Sequence, residues 1–394
     1  MLTRILLLLI ALLLLPAWGI DRCWPHRRLR GAKRLIFYIV PLVITLLMVF
    51  AAIGERYTPE ADRQKALLIS AALLVIAPQV VLCLFLLVAK GLERRWKKGS
   101  VATVVIGGVS GIAVFCAVFY ALTAGYKHFV VKEVTYQNEK LPKAFDGYRI
   151  VQLSDLHLGS LHGRQDVVEE MVQRVNALEP DLIVFTGDLV NYRATEADEF
   201  IETLSRFRSR DGVVSVMGNH DYAQYFHWAS PADSLADIRH LQEAQRRMGW
   251  NLLLNAHTTI VRDADTLAIV GVENQGHAPF PALADLPKAT QGLSSATFTI
   301  LLSHAPTHWR DQVEPDTDIP LTLSGHTHGM QLKIGAFSPA SWFYKEWGGA
   351  YHSPDGQTLY VSLGIGSVLV PFRLGAWPEI NLITLRKTAP TNPQ

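Results

Sequence analysis

The sequence predicts an N-terminal α-helical membrane module of four helices followed by an α/β layered domain. Two observations carry this prediction. Four apolar runs without a single charged residue, Ile5–Ile20, Leu35–Gly54, Ala66–Ala89 and Val101–Tyr126, fill the first third of the 394-residue chain. From residue 147 onward, short apolar runs alternate with polar loops and helix-period segments, the order expected of a layered α/β domain.

A helix of about 20 apolar residues spans a bilayer, and the last three runs reach that length. The first run is shorter and is read as a retained helix. Its alternative is a signal-peptide core cleaved near Ala17-Trp18-Gly19. The helices are expected at about 5–20, 35–54, 66–89 and 101–126. The loops between them set orientation. Arg22, Arg27, Arg28, Arg30, Lys33 and Arg34 crowd the first loop, and Lys90, Arg94, Arg95, Lys97 and Lys98 the third. In the second, Arg56, Arg63 and Lys65 are diluted by Glu55, Glu60 and Asp62. Basic loops stay in the cytoplasm, so everything after Tyr126 is expected on the extracytoplasmic side of a cell membrane. This holds whether or not the first run is retained. The partner implied is the lipid bilayer. A net charge of +2, with no basic stripe in the second half, implies no nucleic-acid partner. The three cysteines, Cys23, Cys83 and Cys116, all precede residue 126, so redox chemistry says nothing against export.

The module is read as 1–126, a linker or leading strand as 127–146, the α/β domain as 147–386 and a tail as 387–394. In the linker Val130-Val131, Val134 and Tyr136 alternate as in a strand. Arg149–Leu153 is the next strand. Arg164–Leu178 carries Val167, Val168, Met171, Val172, Val175 and Leu178 at helical spacing, and Pro180 closes it. Asp181–Thr186 and Val213–Met217 are strands on either side of an expected helix, Glu196–Arg208. Leu267–Val272, Phe298–Ser303, Leu321–Ser324, Thr358–Leu363 and Ile380–Leu385 complete the set. No internal repeat or low-complexity tract interrupts it.

Five polar motifs each follow an apolar run: Asp155-Leu156-His157, Gly187-Asp188, Gly218-Asn219-His220-Asp221, Ser303-His304 and Gly325-His326-Thr327-His328. In open α/β sheets ligands gather beyond the carboxyl ends of the strands, where loops aim side chains from rigid bases. The motifs supply carboxylates, imidazoles and one amide oxygen, an inventory suited to two divalent cations sharing a carboxylate. Nitrogen and oxygen donors without thiolate favour Mn, Fe or Zn over Mg or Ca. A lone D-x-H or G-D is more often a turn than a ligand pair; the five together, in this order, are not. His227, His240, His257, His277, His308 and His352 are read as ordinary surface or core residues. His162 and Arg164 are read as helix-entry residues, with contact to a substrate phosphate as the sharper alternative.

The order of these motifs resembles the calcineurin-like metallophosphoesterase family over roughly residues 147–386, and the stretches Leu359-Tyr360-Val361-Ser362 and Pro378-Glu379-Ile380 resemble its membrane-anchored branch. The resemblance implies a layered α-β-β-α sandwich. It implies Asp155, His157, Asp188 and His328 around a first divalent metal ion, and Asp188, Asn219, His304 and His326 around a second. It implies that His220 protonates the leaving oxygen. Two positions depart from the family pattern. Asn191 stands where many members have an Asp that supports the catalytic His, so the resemblance assigns the amide that supporting role. Gly329-Met330-Gln331 replaces a frequent Gly-Gly-Gln, and Met330 is read as filling space near the site. The function implied is a membrane-anchored phosphoesterase acting on a phosphoester or pyrophosphate bond, for which a lipid-linked substrate is one candidate. A hydrolase like UDP-2,3-diacylglucosamine pyrophosphatase of lipid A synthesis is the specific alternative. A sensor or transporter is the alternative of another class, disfavoured because the membrane runs lack the ionisable groups of a pathway.

Overall fold

The computed structural model describes residues 2–23, 38–47, 59–93, 95–277 and 280–389. The chain divides into two compact units, Met1–Gly125 with Leu369–Phe372, and Tyr126–Val368 with Arg373–Gln394.

The first unit is helical: Leu2–Cys23, the short Tyr38–Leu47, Pro59–Leu92 and Lys97–Thr123. Two stretches, Arg63–Leu92 and Lys97–Thr123, are long and apolar enough to cross a bilayer. These match the third and fourth of the expected spans. The first run lies in the helix Leu2–Cys23; the second is described only over Tyr38–Leu47, and its remaining residues, the basic loop beyond Cys23 and Arg56 of the second loop lie outside the described residues. Apolar side chains here point outward: Val101, Val105, Val109 and Ile112 are 57–67% exposed. The last two helices approach closely at Gly107, where a Cβ would come within 2.5 Å of Phe85 Cβ. Small residues permit this kind of helix contact.

The second unit contains two six-stranded sheets. The strands are β1 (Val130–Asn138), β2 (Arg149–Leu153), β3 (Leu182–Phe185), β4 (Val213–Ser215), β5 (Asn251–Leu252), β6 (Ala256–Arg262), β7 (Asp265–Gly271), β8 (Phe298–Leu302), β9 (Leu321–Ser324), β10 (Gly349–His352), β11 (Thr358–Val361) and β12 (Glu379–Lys387). The first sheet has the order β1-β12-β2-β3-β4-β5 and the second β10-β11-β9-β8-β7-β6. β12 lies between β1 and β2, parallel to β1 from the Val130–Glu379 pair onward and antiparallel to β2.

Successive strand residues point to opposite faces, and this sorts the apolar side chains into layers. Ile150, Leu182, Val184 and Val214 of the first sheet meet Ile269, Ile300 and Leu323 of the second in one core. Val151, Leu153, Ile183 and Phe185 face the other way, onto Val168, Met171 and Val172 of the helix Gln165–Ala177 and Leu241 and Ala244 of Pro231–Arg247. Val270, Leu301 and Val361, on the far side of the second sheet, pack with Leu286, Trp309 and Val313. The result is a helix, sheet, sheet, helix stack. Parallel pairing of β2 with β3 and β3 with β4, and of β8 with β9, brings five carboxyl ends to the ligand-bearing loops.

Five segments differ from expectation. Glu196–Arg208 is not a continuous helix; it contains the 3-10 turn Asp198–Phe200 and the single α-turn Ile201–Leu204. The Glu196 carboxylate reaches back to accept Asn191 N at 2.6 Å and Tyr192 N at 3.1 Å, so the start of the segment is committed to holding a loop. The helix Pro231–Arg247, entered through Ser230 and Pro231, was masked in the sequence by its polar composition. The strands β5, β6 and β10 were also unmarked; none carries a sustained apolar run.

Candidate metal centre

Five of the seven expected ligands adopt positive φ: Asp155 (54°), His157 (44°), Asp188 (59°), His326 (75°) and His328 (52°). Each such conformation costs a non-glycine residue roughly 1–2 kcal/mol and survives only where its surroundings impose it. Here they do. Asp155 N donates to Gly187 O at 2.9 Å and His157 N to Asp188 O at 3.2 Å, stitching the loop after β2 to the loop after β3. Gly187 itself stands at φ 98°, and a Cβ there would come within 2.5 Å of Gly218 N. The Asp221 carboxylate then accepts four backbone N–H groups, from Asp188, Leu189, Val190 and Gly218, at 2.8–3.2 Å. It thereby ties the β3 loop to the β4 loop.

All seven expected ligands converge, in two groups that share Asp188. In the first, His328 Nε2 lies 3.2 Å from Asp155 Oδ1 and 3.1 Å from His157 Nε2, which is 3.6 Å from Asp188 Oδ2. In the second, His304 Nε2 lies 3.1 Å from Asp188 Oδ2, 3.1 Å from Asn219 Oδ1 and 3.2 Å from His326 Nδ1. Asp188 Oδ2 is thus common to both groups, while its Oδ1 accepts His220 N at 2.8 Å.

The donor chemistry fits cations. His304 Nδ1 donates to Thr186 O at 2.8 Å, which leaves a lone pair on Nε2 in the neutral ring. That lone pair faces an amide oxygen and a carboxylate oxygen, both acceptors. Acceptors facing acceptors at 3.1 Å in a buried site require a positive charge between them. In the protein alone a proton serves: burial lowers the His304 pKa, but Asp188 overcomes this and raises it to about 9. Asp188 in turn, despite burial, is held well below the usual carboxylate range by His304 and His220. Burial, then His304, pushes His326 down to about 4; burial, then His220, pushes His157 well below its ordinary value. These two rings are kept neutral, the form that binds metal.

His220 sits beside both groups, with a ring nitrogen within 4.8 Å of a ring nitrogen of His157 and a carboxylate oxygen of Asp188. Its ring stands edge-on to His157 at 4.8 Å and stacks on Tyr225 at 4.2 Å. Its Nδ1 meets the backbone carbonyl of Asn191 at 2.6 Å. This corrects the expected part of Asn191. The amide side chain does not support His220; Oδ1 accepts Ser160 N at 3.0 Å and Nδ2 donates to Ser367 O at 3.2 Å. The reason is local. Glu196 holds the Asn191 backbone N–H, and in that pose the carbonyl points at His220 while the side chain points toward Ser160. Met330 also departs from expectation: at 47% exposure it fills no interior space.

Several contributors had no sequence signal of their own. Arg373, fully buried, donates to Gly366 O, Leu363 O and Ala376 O, and its Nη2 lies 3.0 Å from His328 Nδ1. Burial lowers its pKa to about 10 against the pull of Asp155 and Glu379. Tyr225 accepts from Asn219 Nδ2 at 2.8 Å, and Tyr344 OH is 3.1 Å from His326 Nε2. A tyrosine or arginine remote in sequence cannot be assigned from spacing. Asp221 was within a motif and could have been found as the acceptor that closes it. His162 and Arg164 engage nearby partners: His162 pairs with Glu199 at 2.6 Å, and Arg164 with Asp166 at 3.0 Å and with Tyr126.

The calcineurin-like phosphoesterase family model matches residues 148–330. A transmembrane protein with metallophosphoesterase domain from Danio rerio is 30% identical over 313 residues, 76% of this chain and 66% of that protein. Its namesake from Bos taurus is 32% identical over 260 residues, 63% of this chain and 55% of that protein. An uncharacterised metallophosphoesterase of Bacillus subtilis (strain 168) is 31% identical over 265 residues, 65% of this chain and 85% of that protein. The chain thus spans between half and two thirds of the two animal relatives.

Proposed function

The chain belongs to the calcineurin-like metallophosphoesterase family, and on that premise we propose that it is a membrane-anchored hydrolase that cleaves a phosphoester or pyrophosphate bond with two divalent cations. The observation that carries the reading is the convergence of seven acceptors on two adjacent points with Asp188 Oδ2 common to both. Asp155, His157, Asp188 and His328 would hold one cation, and Asp188, Asn219, His304 and His326 the other. Such a pair polarises a phosphoryl group and lowers the pKa of water for in-line attack.

The residues of the chain supply the rest. His220 delivers a proton to the departing oxygen, a task suited to an imidazole. Its Nδ1–H donated to Asn191 O leaves Nε2 as the atom that gives and regains that proton, and the Tyr225 and His157 rings fix its plane. The Asp188 carboxylate is pinned through Oδ1 by His220 N, so its other oxygen is presented in one direction. Arg373 locks the His328 ring from behind.

Anchoring is supported by the two helices apolar enough to cross a bilayer and by the names of the two animal relatives. The basic segments Arg22–Arg34 and Lys90–Lys98 support an extracytoplasmic catalytic unit. A reporter fused after Gln394 that behaves as cytoplasmic would reverse that placement.

The test is Asp188→Asn in the purified full chain, with bound metal and turnover of bis-p-nitrophenyl phosphate and of a phosphomonoester measured together. Loss of metal from both positions and of at least about 10³-fold in turnover is expected, since electrostatic and nucleophilic contributions fall together. Full metal content with normal turnover would sink the dinuclear reading.

A further inference from the structure

Beyond the metal centre, the second unit concentrates exposed apolar side chains in one place. Among its described residues Val131, Leu235 and Val261 are scattered along the chain, whereas Met330, Ile334, Phe337, Trp342 and Phe343 follow one another just after the last metal ligand. Trp342 is 71% exposed, Phe343 70% and Ile334 66%. Single exposed apolar residues are ordinary; a group of this kind marks an interaction surface.

The segment is held by specific bonds. Ile334 and Phe337 pair across a tight turn through N–H···O bonds of 2.9 and 3.1 Å, with Gly335 at φ 60° in the turn. The Phe337 and Trp342 rings lie 5.7 Å apart. Ser338, fully buried, donates to Gly329 O at 2.6 Å, and Thr327 donates to Trp347 O at 2.6 Å. With Tyr344 against His326, both ends of the segment are fastened to the loop that carries two metal ligands. The aromatic surface therefore stands at the rim of the metal centre.

Composition selects the occupant. From Gly329 to Lys345 there is no Asp or Glu, and the only charges are Lys333 and Lys345. Trp, Phe and Tyr with flanking Lys is the composition that settles at a membrane interface, aromatic rings at the headgroup level and ammonium groups against phosphates. Protein-binding surfaces are poor in Lys as well as in Asp and Glu, whereas this segment drops its acids and keeps Lys333 and Lys345 around its aromatic residues, as a phosphate layer favours. The two apolar helices of the first unit supply the bilayer.

We propose that the segment Met330–Lys345 seats in the interfacial layer of a lipid bilayer. The seat does not depend on the phosphoesterase reading. Its consequence does: the phosphoesters offered to the metal centre are those carried at lipid-headgroup level.

The experiment uses the full chain in vesicles of phosphatidylcholine and phosphatidylglycerol, with Cys23, Cys83 and Cys116 replaced by Ser. A spin label is placed at Trp342→Cys, or at Val261→Cys as the reference. Collisions with oxygen, which partitions into lipid, are compared with collisions with a water-soluble nickel chelate. At position 342 the oxygen-to-nickel ratio is expected to exceed that at position 261 several-fold. Equal ratios at the two positions would overturn the proposal. So would strong spin–spin broadening at 342, which would put a second copy of the chain there. Phe343→Cys provides a second label position if Trp342→Cys does not fold, and a cooperative thermal melt reports folding in each variant. No turnover enters the readout, so failure of the hydrolase reading and failure of the seat give different results.

Discussion

The loops after β2 and β3 on one side and the loop after β9 on the other hold proposed metal ligands with backbone in the left-handed region, but they are secured differently. On the first side, Asp155, His157 and Asp188 are essentially fully buried, and every strained residue is bracketed by loop-to-loop hydrogen bonds or by the Asp221 carboxylate. On the second side, four consecutive residues, His328, Gly329, Met330 and Gln331, have φ between 45° and 59°. Only Gly329 among them escapes the steric cost. Their ties are of both kinds: Leu374 N donates to Gln331 O at 3.0 Å and Met330 N to Thr327 O at 2.8 Å, while side chains join Thr327 to Trp347, Ser338 to Gly329 and Arg373 to His328. Strain is thus absorbed on one side by a lattice closed on a single buried carboxylate, and on the other by ties spread over several segments. The first side is the buried reference; the second is the side that continues into exposed surface.

The largest expected effect comes from removing the lattice. Asp221→Ala leaves four buried N–H groups without their acceptor, and each hydrogen bond to a charged group is worth about 1.5–3 kcal/mol. A loss of about 3–5 kcal/mol in unfolding free energy, with weakened metal binding, is expected in thermal or denaturant melts. A loss below about 1 kcal/mol would mean the first side is no better braced than the second.

His220→Ala separates chemistry from bracing, because the backbone N–H that holds Asp188 survives the substitution. Metal content should stay near wild type while turnover falls roughly 10²–10⁴-fold. The fall should be smaller for substrates with good leaving groups. An equal fall for good and poor leaving groups would remove the proton-donor role.

Asn191→Asp probes the seam between the lattice and His220. The new carboxylate would set an oxygen against Ser367 O where an N–H now donates, at a cost of about 1–3 kcal/mol. Because His220 is supported by the Asn191 carbonyl and not the side chain, bound metal should stay near wild type while the thermal melt records the loss. Unchanged stability would show that the Asn191 amide does not hold the Ser160 and Ser367 segments together.

The smallest effect is on the other side. Met330→Gly removes a Cβ from φ 45° and relieves roughly 1–2 kcal/mol of strain, less roughly 0.5–1 kcal/mol of added unfolded-state freedom. A net gain of about 0.5–1 kcal/mol is expected. A net loss would show that Met330 is held by contacts stronger than its backbone cost.

Much of the site was legible because each ligand sits directly after a strand whose apolar run is unmistakable. Asp155, Asp188, His304 and His326 are fixed by the ends of β2, β3, β8 and β9, so sequence order gave spatial order. What was illegible lies where contacts join distant segments. Arg373 reaches His328 through the fold alone, and the carbonyl that supports His220 belongs to a residue whose side chain suggested the wrong partner. Met330 adopts the left-handed conformation at φ 45°, which nothing in the residue itself announced. The helix Pro231–Arg247 was hidden by a mostly polar sequence that buries little more than Leu241, Ala244 and Gln245. Glu196–Arg208 was overread because its apolar spacing was helical, while its first carboxylate was needed elsewhere.

The insertion of β12 between β1 and β2 has a consequence for how this protein must be made. Synthesis is vectorial, and β1 emerges long before its pairing partner, since Val130 waits for Glu379. Until then β1 has no place in the sheet and β2 presents an open edge, the kind of edge that invites pairing with other chains. The remaining strands can assemble earlier, but the first sheet closes only when β12 slides into its interior. A nascent chain halted before residue 379 therefore carries every proposed metal ligand and lacks the strand that joins β2 to β1, so quality control that watches for an unzipped edge would read this domain as unfinished until β12 has emerged.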